Sequence, residues 1–280
     1  MPIIACGMRC SLQVGVFTLI FESMTTHSAH RYSAEAIRVL VVDDHEINRE
    51  FLKTGLSRLV GKVRLAADGA TAIEMCRDDD FDVILMDLHM PRLDGLATAN
   101  RIRDLESRSA HAQIVALTAD ARPEERIRLL DAGFDEYLNK PITIPALMAA
   151  IEALFNPNAS RAQQEHQHIA PTQLIDRERA LAASNNDSGL ATKLQDMLAA
   201  ELDQKLPELD RMIAEGEFNQ AANLLHQWAG AGGYAGAVRM THACQMLRQR
   251  LLAGLDSSPG TTYLNFLRIA HATRQTLRNA

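Results

Sequence analysis

The chain has 280 residues, of which 47% are hydrophobic and 5% aromatic, and carries a formal net charge of −6. That length predicts two domains, each able to bury a core. The acidic balance and the scarcity of stacking rings argue against a general affinity for nucleic acid.

The first apolar stretch, SLQVGVFTLIF (11–21), follows Arg9. It is shorter than the roughly 20 apolar residues of a spanning helix, so no membrane insertion is expected. Its short apolar core also fits an export signal, but a disordered tail or an over-extended start, with Met24 as the first residue, is the preferred reading. Residues 1–35 are therefore predicted to be a disordered or mis-started tail. The four cysteines, Cys6, Cys10, Cys76 and Cys244, form no CxxC pair and have no zinc spacing, as expected of reduced thiols in a cytoplasmic protein.

From Ile37 short apolar runs alternate with stretches of helical spacing. The runs are IRVLVV (37–42), VILM (83–86) and IVAL (114–117). Such alternation predicts βαβ units and a parallel sheet, and continuous apolar runs suit central strands covered on both faces. KVRLA (62–66) alternates in character, as an edge strand does. EYL (136–138) follows Gly133 and predicts a fifth strand, and PALMAAIEALF (145–155) predicts the closing helix. The fold class over 36–155 is thus α/β, a doubly wound five-stranded parallel sheet.

NPNASRAQQEHQH (156–168) is polar and aperiodic, so 156–171 is expected to be a flexible linker, with His166 and His168 solvated rather than metal-bound. Beyond it no strand pattern remains. Leu190, Leu194, Met197, Leu198, Leu206, Leu209 and Ile213 fit one long helical face, which Pro207 is expected to kink or split. Residues 172–280 are predicted to form an all-α helical bundle.

In a parallel α/β sheet, ligands gather at the carboxyl ends of the strands. There the chain places Asp43 and Asp44 after the first strand, Asp87 after the third, Thr118 after the fourth and Lys140–Pro141 after the fifth. Three carboxylates in one place repel unless a cation sits between them, and hard oxygen ligands suit Mg²⁺. The lysine and the hydroxyl offer a point charge and a donor to a phosphoryl group. Asp87 then has the position of a nucleophile that forms an acyl phosphate. The bland alternative has Asp43 and Asp44 as helix caps and Thr118 as a turn residue.

The motifs VVDDHEINR (41–49), LMDLHMPRLDG (85–95), ALTAD (116–120) and YLNKP (137–141) resemble the receiver domain of two-component response regulators, a flavodoxin-like fold. The resemblance implies that Asp87 is the phosphoacceptor. It implies that Asp43, Asp44 and Asp87 hold Mg²⁺, Asp44 the more directly, with the backbone carbonyl of His89 completing the protein ligands. Thr118 and Lys140 would contact the phosphoryl oxygens, and the Lys140–Pro141 bond would be cis. Tyr137 matches the switching aromatic, with plain packing as its alternative role. His89 and Asp120 stand where the family tunes dephosphorylation.

In FNQAANLLHQWAGAGGYAG (218–236), Phe218, Ala221, Leu225, Trp228 and Gly232 recur at the spacing of a buried stripe. His226 lies about 100° round from Leu225, towards the exposed side. Its neighbours a turn or two away, Ala222, Ala229, Gly230 and Gly233, are all small. A histidine on a bare patch is open to another protein's active site.

This pattern resembles a histidine phosphotransfer (HPt) domain, a helical bundle that carries phosphate on one imidazole, here His226. Gly230 would allow a partner receiver to approach closely. Position 229 holds Ala where the family often has Lys, so the usual cation beside the phosphohistidine is absent. His242 and His271 lack the small-residue surroundings and are expected to be structural.

The two resemblances together imply a phosphorelay protein that shuttles phosphate between a sensor histidine kinase and another receiver domain or HPt protein. A linker of about 18 residues has a mean reach of roughly 23 Å, which leaves transfer within the chain and transfer to separate partners both open. No ATP-binding kinase pattern and no helix-turn-helix with a basic recognition face is present, so neither a sensor kinase nor direct DNA binding is expected. The alternatives are a receiver that controls a phosphate-inert helical binding module, and a relay phosphatase.

Overall fold

The computed structural model describes residues 34–119, 128–129, 132–156, 173–253 and 260–279. Residues 1–33 of the predicted tail, the linker histidines and Asp120 lie outside the described residues.

The first half is a five-stranded parallel sheet of β1 (Arg38–Val42), β2 (Lys62–Ala66), β3 (Val83–Asp87), β4 (Gln113–Thr118) and β5 (Glu136–Asn139), in the order β2-β1-β3-β4-β5. β3 is buried along its whole length, and β1 and β4 everywhere but their first residue. This is why they read as unbroken apolar runs rather than as alternations. β2 is exposed or half-buried until Ala66, as an edge strand should be.

Helices α1 (Glu46–Leu56), α2 (Gly69–Asp78), α3 (Gly95–Arg103) and α4 (Ile144–Phe155) cover the sheet. Their starts are written in the sequence. Asp68 accepts from Thr71 N–H, Asp94 from Ala97 N–H and Thr143 from Ala146 N–H, each satisfying an orphan donor of a first turn. Chain order reverses between β1 and β3, and in such sheets the crevice at this switch point holds the ligand.

The second half is helical: α5 (Arg177–Ala183), α6 (Ser188–Ala214), α7 (Phe218–Tyr234), α8 (Val238–Leu252) and α9 (Thr261–Arg278). α6 runs unbroken through Pro207, so the expected split does not occur. Pro207 is exposed, and Leu206 and Leu209 beside it are buried. Packing of this face holds the helix together despite the one backbone donor that proline lacks. The buried face follows Leu190, Leu194, Leu198, Leu202, Leu206, Leu209 and Met212, while Met197 and Ile213 are only half-buried. Trp228 is fully buried and stacks on Phe266 with ring centroids 6.2 Å apart. Cys76 and Cys244 are buried free thiols. Among the described residues no helix is long and apolar enough to cross a membrane.

The described residues of the two halves belong to one compact unit. Receiver helix α1 packs against both α6 and α7 of the bundle, which brings the carboxyl edge of the sheet against the middle of α7.

Candidate functional site

The strand ends converge as their register dictates. Val42 pairs with Met86 and Asp87 with Leu117, so Asp43 and Asp87 project from adjacent strands at one edge. One carboxylate oxygen from each of Asp43, Asp44 and Asp87 lies within 4.8 Å of the others. Asp43 and Asp87 are buried. The capping alternative fails, because the N-cap of α1 is His45 and its side chain makes no capping bond. Asp43 instead accepts from His45 N–H at 2.9 Å and from the Asn48 amide at 3.0 and 3.1 Å.

Lys140 reaches across from the end of β5. Its Nζ lies 2.8 Å from Asp43 Oδ2 and 2.9 Å from Asp87 Oδ2. Burial alone would discharge it, but the two carboxylates outweigh that cost and raise its pKa, so it stays an ammonium. Thr118, 1% exposed, ends β4, and its carbonyl accepts from Lys140 N–H. The Lys140–Pro141 bond is cis. Tyr137 sits on β5 half-buried and packs against the core between the sheet and α2–α3.

Asp44 shows that a cation fits here. Burial, and then the charge of Asp43, push its carboxyl up to about 6. Its Oδ1 is buried and unpartnered, while Oδ2 accepts from the Gln227 amide at 2.6 Å. Three clustered carboxylates, one of them strained towards protonation with an orphaned oxygen, match the donor set of a hard divalent ion.

The bundle completes the site. His226 is 9% exposed, and it lines the same small cavity as Asp44, Asp87 and Lys140. An open, solvent-facing histidine was expected. On α7 alone the side chain does point away from the bundle core, but the chain's own receiver covers it. A ring nitrogen of His226, one of His89 and an oxygen of Asp87 lie within 4.8 Å of one another, and the two rings are 4.8 Å apart at 52°. Burial first, then the charges of Lys140, His89 and Arg248, depress the His226 pKa to about 3. The imidazole is therefore neutral and keeps a lone pair.

The small residues round His226 form the contact. A Cβ on Gly230 would stand 3.3 Å from the Asn48 amide, and one on Gly233 would stand 2.7 Å from Pro141 Cβ. The sequence reading anticipated a close approach at Gly230, but by a partner's receiver. Beside this patch Tyr234 stacks on Phe51 of α1, with centroids 4.1 Å apart and planes 15° from parallel. His45 Nε2 lies 2.8 Å from Glu201 Oε2 on α6, and Lys193 Nζ lies 2.6 Å from Glu50 Oε1.

Sequence reasoning missed Asn48, Gln227 and the His45–Glu201 pair. Asn48 lay inside a quoted motif and Gln227 beside the candidate histidine. Glu201 carried no local signal, since its partner is 156 positions away.

Comparison with known proteins accords with the geometry. Residues 39–152 match the family model of the response regulator receiver domain, and residues 193–274 match that of the Hpt domain. The chain is 32% identical over 220 residues to the sensor histidine kinase GacS of Pseudomonas protegens, a match covering 76% of this chain and 24% of GacS. It is 31% identical over 229 residues to the signal transduction histidine-protein kinase BarA of Escherichia coli K12, covering 78% of this chain and 24% of BarA. The chain spans about a quarter of the length of these curated relatives. The receiver domain of sensor histidine kinase PA1611 from Pseudomonas aeruginosa PAO1, solved with a magnesium ion coordinated in its active site cleft, is 33% identical. That match covers 43% of this chain and 98% of that one, with a TM-score of 0.39. The chain thus carries a response regulator receiver domain followed by an Hpt domain.

Proposed function

We propose that the chain passes a phosphoryl group between Asp87 and His226 across the contact of its own two domains, and so links a sensor histidine kinase to a further receiver or HPt protein. The observation that carries this reading is the placement of Asp87 oxygen and His226 nitrogen within 4.8 Å in one cavity beside Lys140. A phosphorus atom with its two partial bonds in line spans such a gap.

The chemistry follows from these residues. The lone pair of neutral His226 attacks phosphorus as the bond to the Asp87 oxygen breaks, and Asp87 leaves as a carboxylate. Lys140 holds the carboxylate and the developing oxygen charge together, and Thr118 stands at the neighbouring strand end to donate to a phosphoryl oxygen. Asp43, Asp44 and Asp87, with the His89 carbonyl, would hold Mg²⁺, which when bound neutralises phosphoryl oxygen charge. Tyr137 is the candidate aromatic switch, and 36–155 and 172–280 are the proposed functional modules. Burial of the site excludes the water that would hydrolyse the acyl phosphate.

The test is intact mass of the full chain loaded with acetyl phosphate and Mg²⁺, for the native sequence, Asp87→Asn and His226→Gln. The expected result is an acid-labile, alkali-stable phosphoryl on the native chain, absent from both variants. An alkali-labile adduct alone, retained in His226→Gln, would leave a receiver controlling a phosphate-inert bundle. Rapid release of inorganic phosphate without either adduct would indicate a relay phosphatase.

A further inference from the structure

His226 lacks a cation on its own helix, because Ala229 stands one turn away. The neighbouring helix has one. α7 and α8 form an antiparallel hairpin closed by the Ala237 N–H to Gly232 carbonyl bond, and Gly232 lies directly against Thr241. Continuing that register down the pair sets residue 248 opposite Leu225, next to His226. Thr241, Gln245 and Arg248 recur at the spacing of one helical face, and Thr241 and Gln245 line the cavity that holds His226 and Asp87.

Arg248 is half-buried, and its Nε is buried with no hydrogen-bond partner. An Nε–H in that state has lost water without gaining an acceptor, and burial lowers the pKa of the side chain. Its charge is one of those acting on His226.

We infer that Arg248 is the cation that holds the phosphoryl group on His226, taking over from the neighbouring helix the role vacated at Ala229. A phosphoryl dianion on the imidazole gives the unpartnered Nε–H the acceptor it lacks, and a planar fork suits its oxygens. The inference rests on the proposed role of His226 as a phosphate carrier.

The experiment uses the full chain, loaded with acetyl phosphate and Mg²⁺, and reads the steady-state ratio of alkali-stable to alkali-labile phosphoryl by mass. Arg248→Ala and the shape-preserving Arg248→Gln should lower that ratio on the order of tenfold, the size of one charge-assisted hydrogen bond. Arg248→Lys should restore most of it. So should Ala229→Lys combined with Arg248→Ala, a rescue that a purely structural role for Arg248 does not predict. A ratio unchanged in Arg248→Ala and Arg248→Gln overturns the inference and leaves His226 a carrier. Absence of alkali-stable phosphoryl from the native chain overturns the carrier reading and the inference together.

Discussion

A carboxylate oxygen of Asp87 and a ring nitrogen of His226 lie within 4.8 Å although they belong to different domains of the chain. Held that way, the proposed transfer between them would be unimolecular. The fraction of phosphoryl reaching His226 should not change when the native chain is diluted about a hundredfold. In a mixture of Asp87→Asn and His226→Gln chains the same transfer has to occur between molecules, so its rate should rise with concentration and fall well below the native rate. Equal rates in the two cases at micromolar protein would contradict a preformed internal pair.

Close approach depends on the absence of a side chain at position 233. A Cβ there would stand 2.7 Å from Pro141 Cβ, next to Lys140. Gly233→Val adds bulk against a nearly rigid ring, so α7 has to move away from the receiver. Internal transfer should fall by roughly a hundredfold, in line with the sensitivity of positioned reactions to a shift of about 1 Å. Gly230→Ala meets only the Asn48 amide at 3.3 Å and should have a smaller effect. Circular dichroism of both variants should match the native spectrum.

The His45–Glu201 pair should hold the two domains together. Burial pushes the Glu201 carboxyl up, but its interactions with His45 first and then with Lys205 outweigh this and bring it down to about 2. A depressed carboxyl contributes stability fully above its unfolded value near 4.3, and loses it as pH falls from there through 2. Glu201→Gln at pH 7 should cost about 1.5–3 kcal/mol of docking, the range for a hydrogen bond to a charged group. The outlying Lys193–Glu50 pair, with Lys193 largely exposed, should cost under about 1 kcal/mol when Lys193 becomes Ala. Hydrogen exchange along α1 separates them: Glu201→Gln should lose protection there at pH 7 and Lys193→Ala should keep nearly all of it.

Mg²⁺ binding should depend on pH through Asp44. Its carboxyl is raised to about 6 by burial and by Asp43, so its charge destabilises the metal-free fold above that pH. As pH falls through 6 a proton relieves the repulsion, and a metal ion then has to displace that proton. Mg²⁺ affinity measured by titration calorimetry should be flat above about pH 7 and fall by up to about tenfold per unit below 6. Asp44→Asn should weaken binding and flatten the profile. A native affinity constant from pH 7.5 to 5 would count against Asp44 as a ligand.

The local content of the sequence determined a great deal. Unbroken apolar runs in β1, β3 and β4 require burial on both faces, and an alternating KVRLA requires an edge. Strand-end residues share one edge because parallel strands all point the same way, so Asp43, Asp44, Asp87, Thr118 and Lys140 are legible as a group in the sequence. His226 stood out because the residues a turn away from it are small. Pro207 does not split α6, since the leucines that pack on either side of it outweigh its local propensity.

The tertiary structure alone decided what covers His226. Helical spacing tells which side of α7 faces away from its own bundle, but it does not tell whether solvent, a partner or the same chain fills that side. The contacts that answer this, Gln227 with Asp44, Glu201 with His45 and Tyr234 with Phe51, join residues more than a hundred positions apart. Such pairs leave no periodicity in either segment, because each side chain is an ordinary member of its own helix or loop. The same reason hid Arg248: its charge matters to His226 only once two helices are laid side by side in register.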